Sequence, residues 1–281
     1  MKKRTIVNGW YFIPTSLFFL ALTWGTCTRL PQIVLKSLDV PNSIVGLASL
    51  LGLPNAFRFL LGPFVDARGT KRQWTVRMQT VVTGFMLLLA CVSGLSILFG
   101  WQDSRGFITL LMAMFAGLSL LSSFMSFGWG GLFLSSVDEK EKAFFSGINA
   151  SFIRLANIFA GGFMVIVAAK IELQTGHAMA GWAVCFGVFG LIQLVLMIYH
   201  RAIYPHPVLD KSLVGEDRKA FGEVFLIFLR QKRAWMIIAF VMLYRLDQGL
   251  LSFMKIPFMM DDPAAGGLAI PLDQIGVING I

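Results

Sequence analysis

Six charged residues stand inside apolar stretches of this 281-residue chain: Arg29, Arg58, Arg154, Arg245, Asp247 and Lys255. Arg245, Asp247 and Lys255 share one stretch, which opens with the apolar run 234–244 and predicts a helix ending near Pro257. At ~1.5 Å rise per residue, Arg245 and Asp247 fall roughly 15–20 Å from the helix start, near the middle of a ~30 Å hydrocarbon layer. A charge at that depth costs at least ~2.5–3.5 kcal/mol, so the default reading is a path for a solute or ion. Arg58 and Arg154 land roughly a dozen ångströms inside the same face, and Arg29 and Lys255 lie further out at matching depths.

Five cations against one embedded acid, Asp247, would be intolerable facing lipid. Most should face an aqueous cavity, and a cavity of that sign suits an anionic solute. Arginine grips a carboxylate or phosphate through two parallel hydrogen bonds. The competing reading for Arg29 and Arg58 is that they bond backbone carbonyls at kinks near Pro31, Pro54 or Pro63. Asp247 stands two residues from Arg245 and so faces another helix. If transport is driven by protons, Asp247 is the acid placed to titrate in the path, provided desolvation outweighs its cationic neighbours.

The elements that must position these groups are transmembrane helices. A mean hydropathy of +0.72, 56% hydrophobic and 14% charged residues exclude an ordinary soluble domain. Seven apolar segments, 9–38, 43–65, 76–100, 107–135, 144–170, 178–200 and 234–258, are long enough to cross, and an eighth begins near Asp273. With the N-terminus inside, sixteen Lys and Arg fall in cytoplasmic loops and three, Lys36, Arg105 and Lys170, fall outside. That bias accounts for the net charge of +9 without a nucleic-acid partner. The expected fold is an all-α polytopic membrane bundle: a six-helix unit over 1–200, a cytoplasmic linker with an interfacial helix over 201–233, and the start of a second bundle over 234–281. The chain reads as truncated, because the nine residues from Asp273 onward complete no span. Met1-Lys2-Lys3-Arg4 opens an uncleaved first span rather than a signal peptide.

A short repeat supports a second bundle built like the first. Arg29-Leu30-Pro31 closes on Pro41-Asn42-Ser43-Ile44-Val45-Gly46, and Lys255-Ile256-Pro257 closes on Pro271-Leu272-Asp273-Gln274-Ile275-Gly276. Between the second and third spans stand Gly62, Asp66, Arg68, Gly69, Lys71 and Arg72. A glycine permits close helix approach, an acid follows one turn later, a second glycine turns the chain, and paired cations can hold the acid or a neighbouring helix end. Such a set can act as a breakable cytoplasmic latch.

That loop resembles the signature of the major facilitator superfamily, a glycine, three residues, an aspartate, then a glycine and paired cations. Ala67 and Thr70 stand where the family often has basic residues. Within the superfamily the chain resembles the branch of muropeptide (AmpG-type) permeases and related siderophore and acetyl-CoA carriers. The residues that carry this are Gly52-Leu53-Pro54, Arg58-Phe59-Leu60, Pro63-Phe64-Val65-Asp66, Arg154, and Leu243-Tyr244-Arg245-Leu246-Asp247. It departs in the fourth span, where 122–131 holds no acid and muropeptide permeases tend to carry aspartates. The resemblance implies a major facilitator fold and a secondary active permease, possible symport with protons included, in a bacterial inner membrane.

The remaining chemistry-bearing residues read as scaffold. Cys27, Cys91 and Cys185 lie in apolar runs as small packing residues. Gly128, Gly130, Gly131, Gly161 and Gly162 read as close helix contacts. Residues 138–142 read as a solvated loop opening the fifth span, and His177, His200 and His206 lack ligand spacing. No metal site, cofactor or nucleophile–base pair stands out, so an enzyme is not expected. The alternative class is a membrane sensor or assembly protein that keeps the fold without transporting.

Overall fold

The computed structural model describes residues 8–56, 58–61, 65, 69–102, 104–205 and 230–280. Gly62, Asp66 and Arg68 of the expected latch, and 206–229 with its expected interfacial helix, lie outside the described residues. The helices are α1 (Ile13–Thr28), α2 (Leu30–Ser37), α3 (Asn42–Leu47), α4 (Leu53–Ala56), α5 (Lys71–Leu98), α6 (Arg105–Ser136), α7 (Glu139–Asn157), α8 (Met164–Thr175), α9 (Ala178–Ile203), α10 (Ala234–Met260) and α11 (Leu272–Gly280). There is no strand among the described residues.

Among the described residues, four stretches are long and apolar enough to cross a bilayer: Lys71–Leu98, Arg105–Ser136, Glu139–Thr175 and Ala178–Ile203. At ~1.5 Å per residue each exceeds a ~30 Å hydrocarbon layer. Their surfaces are apolar and their interior is partly polar. Leu88, Leu95, Leu191, Val195 and Ile198 are exposed, while Ser93, Ser119, Ser122, Ser123 and Gln193 are buried. A chain folded in water would do the reverse. In lipid, small polar residues serve as interhelical contacts. This is an integral membrane bundle, all-α and polytopic. The helices alternate in direction, so α1, α5, α7 and α10 start at one end, here the basic end for its Lys71, Arg72 and Arg201, and α3, α6, α9 and α11 start at the far end.

The apolar segments 9–38 and 43–65 are each interrupted near the prolines at which the sequence allows kinks. The first breaks at Arg29, because Pro31 has no N–H to donate back along the helix. The hydroxyls of Thr26 and Thr28 take up the carbonyls of Leu22 and Trp24 just before the break. The second span tightens to 3₁₀ geometry over Ala48–Gly52, ahead of Pro54. Ser119 of α6 donates to the Leu51 carbonyl there, so the irregular backbone is satisfied from a neighbouring helix.

Close approach elsewhere depends on glycine. A Cβ on Gly181 of α9 would stand 2.3 Å from the Ala168 carbonyl oxygen of α8. One on Gly128 would meet the Thr75 backbone nitrogen at 3.3 Å, whereas Gly130 and Gly161 have open space and are not contacts. Cys27 and Cys185 are buried as read, but Cys91 is exposed on the outward face of α5, in register with Leu88 and Leu95. Residues 138–142 are no loop. Asp138 caps α7 by accepting from the Glu141 amide at 2.8 Å, and Glu141 reaches back to the Asp138 amide.

Candidate functional site

Arg29, Arg58, Arg154 and Lys255 stand on four separate elements, while Arg245 shares α10 with Lys255. Arg29 occupies the break between α1 and α2, exposed, with its guanidinium 5.2 Å above the Trp24 ring. Arg58 opens the 3₁₀ turn Arg58–Leu61 and is exposed. Arg154 is exposed in the last turn of α7. Directly after it the helix widens to π geometry over Ile158–Phe163, a device frequent at functional sites. Lys255, exposed on α10, donates to the Asn279 side-chain oxygen of α11 at 3.1 Å.

Asp247 is the middle residue of the 27 in α10, with Arg245 half a turn before it, so the mid-helix placement holds. Their side chains lie outside the described residues. Pro257 does not end this helix. Its carbonyl still accepts from the Asp261 amide at 2.8 Å, so α10 runs one turn further, to Met260.

Of the latch, Gly69, Lys71 and Arg72 are described. Gly69 has φ +137°, which permits the turn into α5. Thr70 then starts α5 with a capping box to Gln73. The Lys71 stem lies against Gly131, with its ammonium 5.6 Å from the Phe127 ring. Arg72 donates from Nε to the Tyr204 carbonyl at 3.1 Å and from a terminal nitrogen to the Arg201 carbonyl at 3.2 Å. It thereby ties α5 to the open carbonyls and negative dipole end of α9. Arg72→Ala is expected to lower the stability of the purified protein by about 1 kcal/mol. Lysine should restore only part, having no fork to span two carbonyls. Unfolding midpoints in detergent check both.

Two polar clusters were not foreseen, because their members are far apart in sequence. At the basic end, buried His200 of α9 accepts at Nδ1 from the Gln79 amide at 3.0 Å, and its Nε2 meets the Thr15 hydroxyl at 2.9 Å. Gln79 also donates to the Tyr204 hydroxyl at 2.8 Å, which lies 2.8 Å from Ser16 Oγ. The cluster pins the starts of α1 and α5 to the end of α9. Gln79→Leu strips two hydrogen bonds and should cost about 1–3 kcal/mol, read as a fall in the unfolding midpoint with unchanged helical circular dichroism.

At the far end, Asp261 just past α10 forms an ion pair with Lys36 of α2 and accepts from the Asn42 amide of α3 at 2.6 Å. Lys36 also donates to the Asn42 side-chain oxygen at 3.1 Å. Hydrogen bonds from Lys36, then from Asn42, hold the Asp261 carboxyl below the ordinary carboxylate range. A depressed pKa means the contact is fully present above the ordinary range and is lost as pH falls through the lowered value.

The second parts of the two repeat copies are built alike, although the helix breaks at Arg29 in the first and runs on through Pro257 in the second. Pro41 precedes α3 and Pro271 precedes α11, each offering its carbonyl to the first turn, from Val45 and from Ile275, at 3.1 Å. The glycine five residues on is a contact in both. A Cβ on Gly46 would meet the Met254 side chain of α10 at 3.9 Å, and one on Gly276 would stand 2.9 Å from the Gly162 carbonyl oxygen in the π segment.

The fold and these embedded charges define a polytopic helical membrane protein with polar groups held inside the bundle. The chain is similar to the anhydromuropeptide permease of Escherichia coli K12, at 22% identity over 275 residues covering 92% of this chain and 48% of the relative. It is also similar to Rickettsia proteins named AmpG 2. The one from Rickettsia felis is 23% identical over 221 residues, covering 77% of this chain and 50% of the relative. The one from Rickettsia prowazekii is 22% identical over 233 residues, covering 81% and 52%. These relatives bear out the resemblance to AmpG-type permeases. The chain spans about half the length of the curated relatives it matches. No protein-family model and no solved structure matches it.

Proposed function

We propose that the protein is a secondary active transporter of the major facilitator kind, moving a small anionic solute across a bacterial inner membrane by alternating access. The observation that carries this reading is the exposure of four in-span cations, Arg29, Arg58, Arg154 and Lys255, on elements from both sides of the 201–233 linker. Exposed charge within a span calls for water or a charged solute beside it. Arg58, Arg154 and Arg245 are the proposed solute ligands, Arg29 and Lys255 flank them, and Asp247 carries the coupling proton. The basic end lies in the cytoplasm with the N-terminus, and the 62–72 loop latches that side while 1–200 and the bundle starting at 234 rock about the midplane. No cofactor or catalytic step enters this mechanism.

The relative named anhydromuropeptide permease makes a carboxylate-bearing muropeptide the first solute to try. Uptake of labelled anhydromuropeptide, and of a panel of carboxylates and organic phosphates, is measured in proteoliposomes holding the full natural chain. Arg154→Ala should lower uptake at least about tenfold, with partial recovery in Arg154→Lys, the size of one lost charge-assisted bidentate contact. Uptake of neutral solutes alone, or uptake indifferent to Arg58 and Arg154, would overturn the anionic assignment.

A further inference from the structure

Lys36, Asn42 and Asp261 close a triangle in which each side chain holds the other two. Its corners come from opposite sides of the 201–233 linker, and they sit at related places in the repeat. Lys36 is five residues past Pro31 and Asp261 four past Pro257. The repeat thus brings opposite charges to matching helix ends, where they meet.

We propose that this triangle is the far-end gate of the transporter, shown here closed, and that it must part for solute to enter or leave on that side. The inference rests on the transporter reading above and names the residues that govern access at the end opposite the 62–72 loop. Leu35 and Val45 from one side of the linker and Ile256, Met259 and Ile275 from the other belong to one buried apolar cluster. The polar contact lies at the rim, with side chains only 14% and 15% exposed for Lys36 and Asp261.

One side of the gate is rigid and the other adaptable. Asp261 is held by the segment after it, which folds back on the helix end. Leu268 donates to the Phe258 carbonyl at 3.0 Å, Ala269 to the Asp261 carbonyl at 2.8 Å and Ile270 to the Met259 carbonyl at 2.8 Å. Gly266 has φ +85°, and a Cβ on Gly267 would lie 2.2 Å from the Asp261 carbonyl oxygen, so this return needs both glycines. Lys36 reaches Asp261 on a flexible four-carbon stem. The contact across the linker is made by side chains alone, which suits one that forms and breaks in every cycle.

The test uses the full natural chain with exposed Cys91 replaced by Ser, leaving Cys27 and Cys185 buried. Gln32 lies one helical turn below Lys36 on the same face of α2 and is buried. A Gln32→Cys reporter is labelled by a membrane-impermeant maleimide from the far side. Asp261→Asn and Lys36→Met should each raise the labelling rate roughly tenfold by shifting the population toward the open gate. The swapped pair Lys36→Asp with Asp261→Lys should bring it back. Unchanged labelling in Asp261→Asn, with circular dichroism and unfolding midpoint retained, overturns the gate. So does a swap that fails to close it.

A second arm joins Asn42→Cys to Asp261→Cys by a disulfide. Oxidation should stop solute uptake and reductant should restore it. A cross-linked protein that still transports shows a fixed brace and overturns the gate. Labelling that responds as expected in a protein that moves no solute of either charge class supports the opening and sinks the transporter reading, so the two failures are told apart.

Discussion

Asp247→Asn is expected to abolish proton-linked uptake by the full natural chain, a loss of at least about 100-fold against background vesicles. Asp247 is the central residue of a 27-residue helix. An isosteric amide keeps hydrogen bonding but has no proton to take up or release. Exchange of solute across the membrane without a proton gradient should survive, because it needs only the cations and the rocking motion. Asp247→Glu should retain part of the coupled rate with a displaced pH profile. Uptake and pH dependence unchanged in Asp247→Asn would remove the residue from coupling. Loss of exchange together with coupled uptake would instead assign Asp247 to solute binding or to the fold.

Gly181→Ala is expected to destabilise the bundle by about 3 kcal/mol. The added methyl would enter the space of the Ala168 backbone, 2.3 Å from its oxygen and 2.7 Å from its Cα, and backbone cannot step aside as a side-chain tip can. α8 and α9 must then separate, which also strains the contact of Cys185 with the Met164 carbonyl. Gly84→Ala is the control. It has no neighbour within 4 Å, and alanine's higher helix propensity should leave it neutral or slightly stabilised. Equal unfolding midpoints for the two variants would mean that the α8–α9 approach carries no packing load.

The sequence alone determined that this is a membrane bundle and roughly where its later spans lie. Burial in lipid requires runs of about twenty apolar residues whatever their neighbours, and such runs are local. The same local reasoning placed Asp247 and Arg245 at mid-helix and found the repeat around Pro31 and Pro257. It failed on Asp138, read as loop although its spacing to Glu141 is that of a capping box, because the density of charge masked the helix signal. It counted the first two spans as single segments and weighed kinks at their prolines without deciding where the helices break. A proline bends or tightens a helix only where neighbours can satisfy the freed backbone, and Ser119 does that for Leu51 from 68 residues away.

Contacts between side chains remote in sequence were decided only by the tertiary structure. Arg72, placed by motif in a latch, also turned out to tie α5 to the end of α9. His200, unremarked among three scattered histidines, became the centre of a buried cluster with Gln79 and Thr15. Lys36 counted only as one of three cations outside, and Asp261 drew no reading. Hydropathy is a property of each segment by itself. A hydrogen bond between residues 219 apart exists only once the helices between them have packed.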